Sequence, residues 1–571
     1  MMNREIADIF GRIADILEIN GENPFRIRAY RHAALNIEGL ARPVEDYAAD
    51  NTLENIEGIG KDLAGKIREY AATGRISFYE DLKKTIPRSA MEMLDIPGVG
   101  PRMVNLFHKQ LGIKSLGLLE RAIKDGKLDN IKGIGERTRA NILRGIEYLS
   151  KSGGRVLLPA AEAACRPILK ELKNLRCVKA IEVAGSVRRR KETIGDIDMV
   201  AASDNPRAVM DAFTTSGNVR EVIAKGMTKS AIRTGGGIQV DLRVVKRDSY
   251  GSALVYLTGS KMHNIKLRET AIKKRMKINE YGVFAGSAGK KIAGRDEKGV
   301  YRALGMSFVP PEMREDRGEI EAALKHKIPD LVTEKDIRAD LHIHSSSSDG
   351  SMSIDEIARA CAARGYSYAV LTDHSGSLKI ARGLEAKELF ANLRKIDKIN
   401  AKMKKFRLLK GAEVDILSDG RLDYDDSVLR SLDFVIAAIH TGFKQPKETL
   451  TGRILKAMDN KHVNMIAHLT GRLMGMRQGY EVDFDVILNA ARDTNTALEI
   501  NAFPERLDID DAKCRLARDA GIMVGISSDS HAEHDMDNMF YGVGVARRGW
   551  LESCHVLNTL SVTDFLKKIR K

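Results

Sequence analysis

The stretch GSVRRRKETIGDIDMV, Gly185 to Val200, holds residue types that could carry out phosphoryl chemistry. Asp196 and Asp198 stand two apart at the head of a short apolar run. In a strand, residues two apart share a face, so both carboxylates would enter the same space. Two hard anions that close suit a pair of divalent cations bound through oxygen. Upstream, Gly185 and Ser186 follow the apolar run Ala180 to Ala184 and lead into Arg188, Arg189 and Arg190. A small-residue turn with free N–H groups beside arginines can hold a polyphosphate. Asp241, mid-strand by alternation in GIQVDLRVV, could complete the set. A phosphate cradle with three carboxylates describes metal-assisted phosphoryl or nucleotidyl transfer. An Asp-x-Asp pair alone is ordinary on an exposed strand face; the turn, the arginines and the third Asp together favour chemistry.

A second set lies beyond Arg338, where nine of the 13 histidines fall. Seven apolar runs follow one another there: ADLHIHS, YAVLTDHS, RLLKGAEVDI, DFVIAAIH, VNMIAHLT, ALEINAF and IMVGISSDSH. They alternate with helical stretches such as IDEIARACAAR, and repeated β-α units of this length predict a parallel barrel. Chemistry in such barrels sits at the C-terminal ends of the strands. The metal-ligand types fall there: His342, His344 and Asp349, then His374, Glu413, His440, His468, and last Asp529 and His531. One histidine in an apolar run is usually a hydrogen-bonded interior residue; nine ligand-type residues on one rim are not explained that way. Mixed imidazole and carboxylate suits Mn, Zn or Fe better than Mg alone. His462, His534 and His555 fit no ligand position and read as structural.

The elements that must position these sets belong to a chain of 571 residues with a net charge of +15 and a pI near 9.3, a balance that favours a polyanionic partner. Five scattered cysteines without a CxxC indicate a reducing interior rather than a disulfide framework. The N-terminus, MMNREIADIFGRIADIL, is an amphipathic helix without a signal peptide's apolar core, and no run reaches the ~18 apolar residues of a membrane span. The expectation is a cytoplasmic protein without a membrane partner.

The N-terminal third carries a repeat: NIEGIGKDLAGKIREY (55–70), DIPGVGPRMVNLFHKQ (95–110) and NIKGIGERTRANILRGI (130–146). Each has an apolar residue, a Gly-x-Gly turn and a helix. The pairs Gly58 and Gly60, Gly98 and Gly100, Gly133 and Gly135 would let backbone N–H groups approach a phosphate closely. Three copies separate this from an ordinary helical hairpin. The repeat resembles the helix-hairpin-helix, which grips the nucleic-acid backbone without reading sequence.

Further resemblances follow. NPFRIRAYRHAALNI resembles the N-terminal small domain of family X DNA polymerases. Lys66 stands where members with deoxyribose-phosphate lyase activity have a Schiff-base lysine. Its basic neighbours are only partly kept, Arg26 and Asp62 each replacing a Lys, so a solvated helix-face lysine is preferred to a lyase. Gly185, Ser186, Arg189, Gly195, Asp196, Asp198 and Asp241 resemble the family's triphosphate turn and metal carboxylates in order. VYLTGSKMHNIKLRETAIKKRMKINEYGVF (255–284) resembles its nucleotide pocket. The resemblance implies Tyr256 beside the incoming sugar, Gly259 in the turn next to it, Asn264 at the base edge, Arg268 on the template strand, and Arg243 hydrogen-bonded to the catalytic carboxylates. Ile194 stands where a Ser commonly touches the triphosphate, and Lys261 where an acidic residue is common; either could alter nucleotide affinity. The resemblance implies Mg²⁺ or Mn²⁺ in this site, dNTPs and gapped or primer-template DNA as partners, and a monomer.

HIH, TDHS, AEVDI, AAIH, AHLTGR and SSDSH resemble the PHP (polymerase and histidinol phosphatase) phosphoesterases over 338–571, which implies a three-metal cluster of Mn²⁺, Zn²⁺ or Fe that activates water. Arg472 and Arg506 are candidate phosphate clamps there. The order of parts resembles bacterial and archaeal PolX. The expected architecture is multidomain: an all-α helix-hairpin-helix region (1–80 and 81–154), an α+β nucleotidyltransferase polymerase core (155–314), a linker (315–337) and an α/β distorted (β/α)7 PHP barrel (338–571). The implied function is short-gap DNA synthesis in base excision repair with a 3′→5′ exonuclease, extending to an abasic-site endonuclease or 3′-phosphatase. The alternatives are a nuclease whose polymerase core only positions DNA, and a non-catalytic scaffold, against which the full ligand set speaks. A small-molecule phosphatase fits the barrel but not the hairpins.

Overall fold

The structure, a computed structural model, describes the chain except residues 1, 39, 41–43, 95, 97–98, 130, 132–133, 136–137, 141, 144–145, 147–154 and 287–288. It divides into two compact units, Met1–Gly153 and Gly154–Lys571.

The first unit is helical among its described residues. The helix Met2–Asn20 places Ile6, Phe10, Ile13 and Leu17 on one stripe, the spacing of an amphipathic helix, and buries all four. Tyr30, Ala33 and Ile37 of the helix Pro24–Glu38 share that core. The three repeats close the same turn: Ile59 N–H donates to Ile56 O, Val99 to Ile96 O and Ile134 to Ile131 O. Gly60 caps the helix Lys61–Thr73, and Gly100 caps Pro101–Asn105. Gly58 has φ +79, a conformation open to glycine. The backbone N–H groups of Ala64, Val104 and Arg139 bond to the carbonyls of Gly60, Gly100 and Gly135 in turn. Gly98 and Gly133 lie outside the described residues.

The second unit opens on a five-stranded sheet in the order Val178–Val183, Asp196–Ser203, Gln239–Val245, Lys229–Thr234, Val219–Lys225. Only the pair Asp196–Ser203 and Gln239–Val245 is parallel. Alternation on Asp196–Ser203 explains its burial. Ile197, Met199 and Ala201 pack with Ile168 and Leu172 of the helix Leu158–Lys173. Val200 and Ala202, on the opposite face, pack with Ala253 and Leu254 of the helix Tyr250–Thr258. Asp196 and Asp198 occupy that second face.

Seven parallel strands follow in sequence order: Ala339–Ile343, Tyr368–Leu371, Arg407–Asp415, Phe434–Ala438, Met465–Ile466, Ala497–Asn501 and Val524–Ser527. A parallel bridge from Ile343 to Ser530 brings the first strand beside the last, so the barrel is nearly closed. Every residue of six of these strands is buried.

Residues 315–337, expected as a linker with one helix, hold that helix at Glu319–Leu324 but are no free tether. Ile320, Ala323 and Leu331 pack into one core with Val300, Leu304 and Trp550. Their charged neighbours are paired inside: Glu319 accepts from buried His263 at 2.7 Å, and buried Arg314 meets Glu297 at 2.8 Å. Two further charges of the stretch pair with the C-terminal barrel: Glu315 with Arg548 at 2.9 Å and Arg317 with Asp511 at 3.2 Å.

Candidate catalytic sites

The parallel register sets Asp198 beside Asp241, with Asp196 opposite Gln239. Asp196 is exposed at the strand start, while Asp198 and Asp241 are half-buried. Burial, then the like charges of Asp196 and Asp241, push the Asp198 carboxyl up to about 7. Three carboxylates that repel one another in this way form a site that a divalent cation would relieve. Gly185 sits against them: its φ is +59, and a Cβ there would overlap the Asp198 carboxylate. The turn therefore requires glycine for both reasons. Gln239 donates to Asp241 at 2.8 Å, and Lys229 lies 3.5 Å from the same carboxylate.

The arginines are placed differently from the expectation. Arg188 forms a two-pronged pair with Glu297 at 2.6 and 2.8 Å. Arg189 donates to Glu315 at 3.0 Å and to the Thr258 carbonyl, beside Gly259. Arg190 meets Glu334 at 3.0 Å and lies over the Phe540 ring at 4.1 Å. Their charge is met by carboxylates, so they brace the fold around the turn. Arg243 likewise reaches Glu280 at 3.4 Å, where the expectation put it on the aspartates. Ile194 is fully buried and packs in the apolar core behind the sheet. The cation near Gly195 is instead Arg155, whose Nη1 would lie 3.1 Å from a Cβ at that glycine.

In the barrel, His342 lies one residue before the end of the first strand, Glu413 lies within the third, and the other expected ligands follow strand ends. Their ligand atoms form three groups: His344, Asp349, His374 and His531; His342, His344 and Asp529; His374, Glu413 and His440. His344 and His374 are each shared by two groups, and Glu413 Oε2 also lies 3.3 Å from His342 Nε2. His468 joins through Glu413, to which its Nε2 lies at 2.9 Å. His344 Nδ1 and His468 Nδ1 are buried without a hydrogen-bond partner among the described residues, and His342 Nε2 and His374 Nδ1 make none despite standing 3.3 and 2.8 Å from Glu413 Oε2. Buried polar atoms left bare are costly unless something absent from the chain binds them. Cations fit that need, and the donor set fits Mn, Zn or Fe. Burial opposes protonation of His374 and His440, yet Glu413 and Asp349 raise His374 to about 10, and Glu413 with Asp415 raises His440 to about 9. Glu413 and Asp529 are held well below the carboxylate range despite their burial, by the imidazoles around them. Without an ion the carboxylates and the raised imidazoles thus hold each other's charge, and a bound cation would take the place of those protons.

An outer layer that the sequence reading missed holds the imidazoles. Glu499 is fully buried; it meets His342 Nδ1 at 2.7 Å and accepts from the His468 backbone N–H at 2.7 Å. Asp415 meets His440 Nδ1 at 2.5 Å. Such carboxylate–imidazole pairs fix ring orientation and leave the other nitrogen for a metal. The signal was available: a Glu at the centre of the apolar run ALEINAF, and the Asp of GAEVD.

Family models match four stretches: a helix-hairpin-helix domain over residues 1–76, a SAM-like helix-hairpin-helix tandem over 90–147, a DNA polymerase beta thumb over 253–315 and a PHP domain over 340–502. The chain is 38% identical over 573 residues to the DNA polymerase/3′-5′ exonuclease PolX of Bacillus subtilis (strain 168), with 100% of both chains covered. The chain belongs to the PolX family. It is also 24% identical over 353 residues to DNA polymerase lambda of Arabidopsis thaliana, across 55% of this chain and 62% of that one. A probable phosphatase of Acetivibrio thermocellus is 30% identical over 206 residues, 34% of this chain and 80% of that one.

In this PolX chain Tyr256, Asn264 and Arg268 line one groove with Leu267, Ile278 and Asn279. Asn264 donates to the Tyr256 carbonyl at 2.7 Å, so the two expected pocket residues are tied together. Gly259 has φ +67, and Ser260 caps the next helix by accepting from His263 N–H. Lys261 opens that helix and is exposed. Lys66 is not solvated: its side chain is 12% exposed, pairs with Asp62 at 2.5 Å and lies over Phe78. The two expected phosphate clamps of the PolX barrel part company. Arg506 reaches Asp529 at 3.6 Å and keeps Nη1 buried without a partner. Arg472 has every guanidinium nitrogen engaged by Glu192 and by the carbonyls of Arg506 and Leu507.

Proposed function

We propose that the chain fills short gaps in DNA by nucleotidyl transfer in the sheet site and removes 3′-terminal nucleotides in the barrel site, within base excision repair. The observation that carries this reading is the pairing of the Asp196–Asp198–Asp241 triad with the barrel's three linked ligand groups, in one chain similar along its whole length to a polymerase/exonuclease. The helix-hairpin-helix repeats supply backbone grip on DNA, and the net charge of +15 suits a polyanion. Asp196, Asp198 and Asp241 would hold Mg²⁺ or Mn²⁺, which supplies charge neutralisation at the primer hydroxyl and the triphosphate. Gly185 and Ser186 offer backbone N–H groups to the triphosphate; Tyr256 and Asn264 bound the sugar and base. In the barrel, His342, His344, Asp349, His374, Glu413, His440, His468, Asp529 and His531 would hold the metals that activate water, and Arg506 presents its free Nη1 to the phosphate being cut. The likeness to a probable phosphatase supports extending this chemistry to a 3′-phosphate or an abasic site. We place the chain as a monomer in the cytoplasm; no described helix is long and apolar enough to cross a membrane.

The test is 5′-labelled primer on one-nucleotide-gapped DNA in Mn²⁺, with and without dNTPs. Extension with dNTPs and shortening without them are expected. Shortening alone would replace this reading with a nuclease whose polymerase core positions DNA; neither activity from metal-loaded protein would leave a DNA-gripping scaffold.

A further inference from the structure

Arg472 sits four residues after His468, in the segment leaving the fifth barrel strand. Its Nε donates to the Arg506 carbonyl at 2.6 Å, and its Nη2 donates to the Leu507 carbonyl. Those carbonyls belong to a tight turn in which Arg506 N–H and Leu507 N–H both donate to Phe503 O. Leu507 has φ +41, a backbone value that a branched-chain residue adopts only when its surroundings impose it. The same turn is tied a second time: buried Asp508 accepts from Thr470 N–H at 2.8 Å and from its hydroxyl at 2.9 Å. The turn thus hangs from the segment 468–472. Arg506 projects from it toward the metal-ligand cluster, with Nε 3.6 Å from Asp529 and Nη1 bare.

What holds Arg472 comes from the polymerase core. Its Nη2 donates to Glu192 Oε1 at 2.6 Å, and Nη1 reaches Oε2 at 3.4 Å. Glu192 lies between the Gly185–Ser186 turn and Asp196. Among the described residues it is the one carboxylate within ion-pair distance of Arg472. The two side chains are 18% and 27% exposed, so the pair is largely shielded from water. Removing one partner of such a pair leaves a desolvated charge that must find another partner or move. If Arg472 moves, the carbonyls of residues 506 and 507 lose their donors and the turn loses its anchor.

We propose that Glu192, a residue of the polymerase core, is a positioning residue for the nuclease: it fixes Arg472, which fixes the 503–508 turn and so aims Arg506 at the phosphate of the strand being cut. This rests on the reading of the barrel as a nuclease. The barrel's phosphate-binding arm is then completed by the neighbouring domain, and the two activities share a mechanical element without sharing a substrate site.

The experiment uses the full chain with Mn²⁺, a 5′-labelled single strand for hydrolysis and gapped DNA for synthesis. Glu192→Gln keeps the shape and removes the charge; Glu192→Asp keeps the charge on a shorter arm. Hydrolysis by Glu192→Gln is expected to fall about 10-fold, the scale of outer-layer changes. Glu192→Asp should recover part of that loss, and synthesis by both should stay within about twofold of wild type. The decisive comparison is Arg506→Ala alone against Arg506→Ala with Glu192→Gln. If Glu192 acts through Arg506, the second change adds nothing. Wild-type hydrolysis in Glu192→Gln, multiplicative losses in the double variant, or equal loss of synthesis and hydrolysis would each overturn the proposal. A wild-type chain that shortens no DNA would overturn the nuclease reading itself, and is distinguished because it needs no variant.

Discussion

Asp196 stands exposed at the edge of the sheet, whereas Glu413 at the heart of the barrel is 1% exposed and lies 2.8–3.4 Å from the imidazoles of His342, His374, His440 and His468. The sheet site has carboxylates alone, with Gln239, Lys229 and the charge of Arg189 as neighbours, and its shape depends on the glycine turn at Gly185. The barrel site has imidazoles gripped from behind by Glu499 and Asp415, and bare nitrogens turned inward. Oxygen-only sites of the first kind bind a hard cation through a few carboxylates plus substrate phosphates. Sites of the second kind are organised before any ion arrives. The difference teaches that one chain can hold one set of donors in place with its own outer carboxylates, Glu499 and Asp415, and leave another to rest on a glycine turn and mutual repulsion.

The sharpest way to break this comparison is to empty one site at a time. Asp198→Ala should cut gap filling by roughly three orders of magnitude, the several kcal/mol a metal carboxylate contributes, and leave hydrolysis within about twofold. Glu413→Gln should do the reverse. Loss of both activities from either change would mean that the two regions are one functional site and the comparison is misdrawn.

A smaller effect is expected from the barrel's outer layer. Asp415→Asn withdraws the charged acceptor from His440 Nδ1 while keeping its shape. The Mn²⁺ concentration giving half-maximal hydrolysis should rise about 10- to 100-fold, and that for synthesis should not move. Unchanged midpoints for both would mean that the barrel is no better organised for metal than the sheet, and the contrast would fail.

Legibility in the sequence followed the same divide. The barrel was readable because its strands are buried apolar runs and its ligands, Glu413 apart, fall near or just beyond the ends of such runs. The aspartate triad was readable because alternation places Asp196 and Asp198 together, although the pairing with Asp241 needed the register. What the sequence hid was partnership. Arg188, Arg189, Arg190 and Arg472 look like phosphate ligands in a row of letters, but their counter-ions, Glu297, Glu315, Glu334 and Glu192, come from more than 100 positions away. The 315–337 stretch hid its partners in the same manner, since Glu315, Arg317 and Glu319 find Arg548, Asp511 and His263 only in the fold. Glu499 and Asp415 were passed over for the opposite reason: a carboxylate in an apolar run has no visible partner until the barrel closes around it.

The smallest effect on either rate belongs to Ile194, and it tests whether position in a motif outweighs position in the fold. A Ser is common at that place beside the triphosphate, so a motif-based view expects Ile194→Ser to tighten nucleotide binding. In the structure Ile194 is 0% exposed and packs in the core behind the sheet, with the backbone of Thr193 and Ile194 paired to Val156 and Leu157. Its side chain points away from the aspartates' face, and a hydroxyl there would be buried among apolar neighbours. The KM for dNTPs should therefore stay within about twofold, while stability falls by about 2–5 kcal/mol from the lost packing and the buried hydroxyl. Thermal melting of the variant beside its gap-filling kinetics reads both. A markedly lower KM with unchanged melting would put Ile194 at the nucleotide and would make the sheet site larger than its carboxylates and glycine turn.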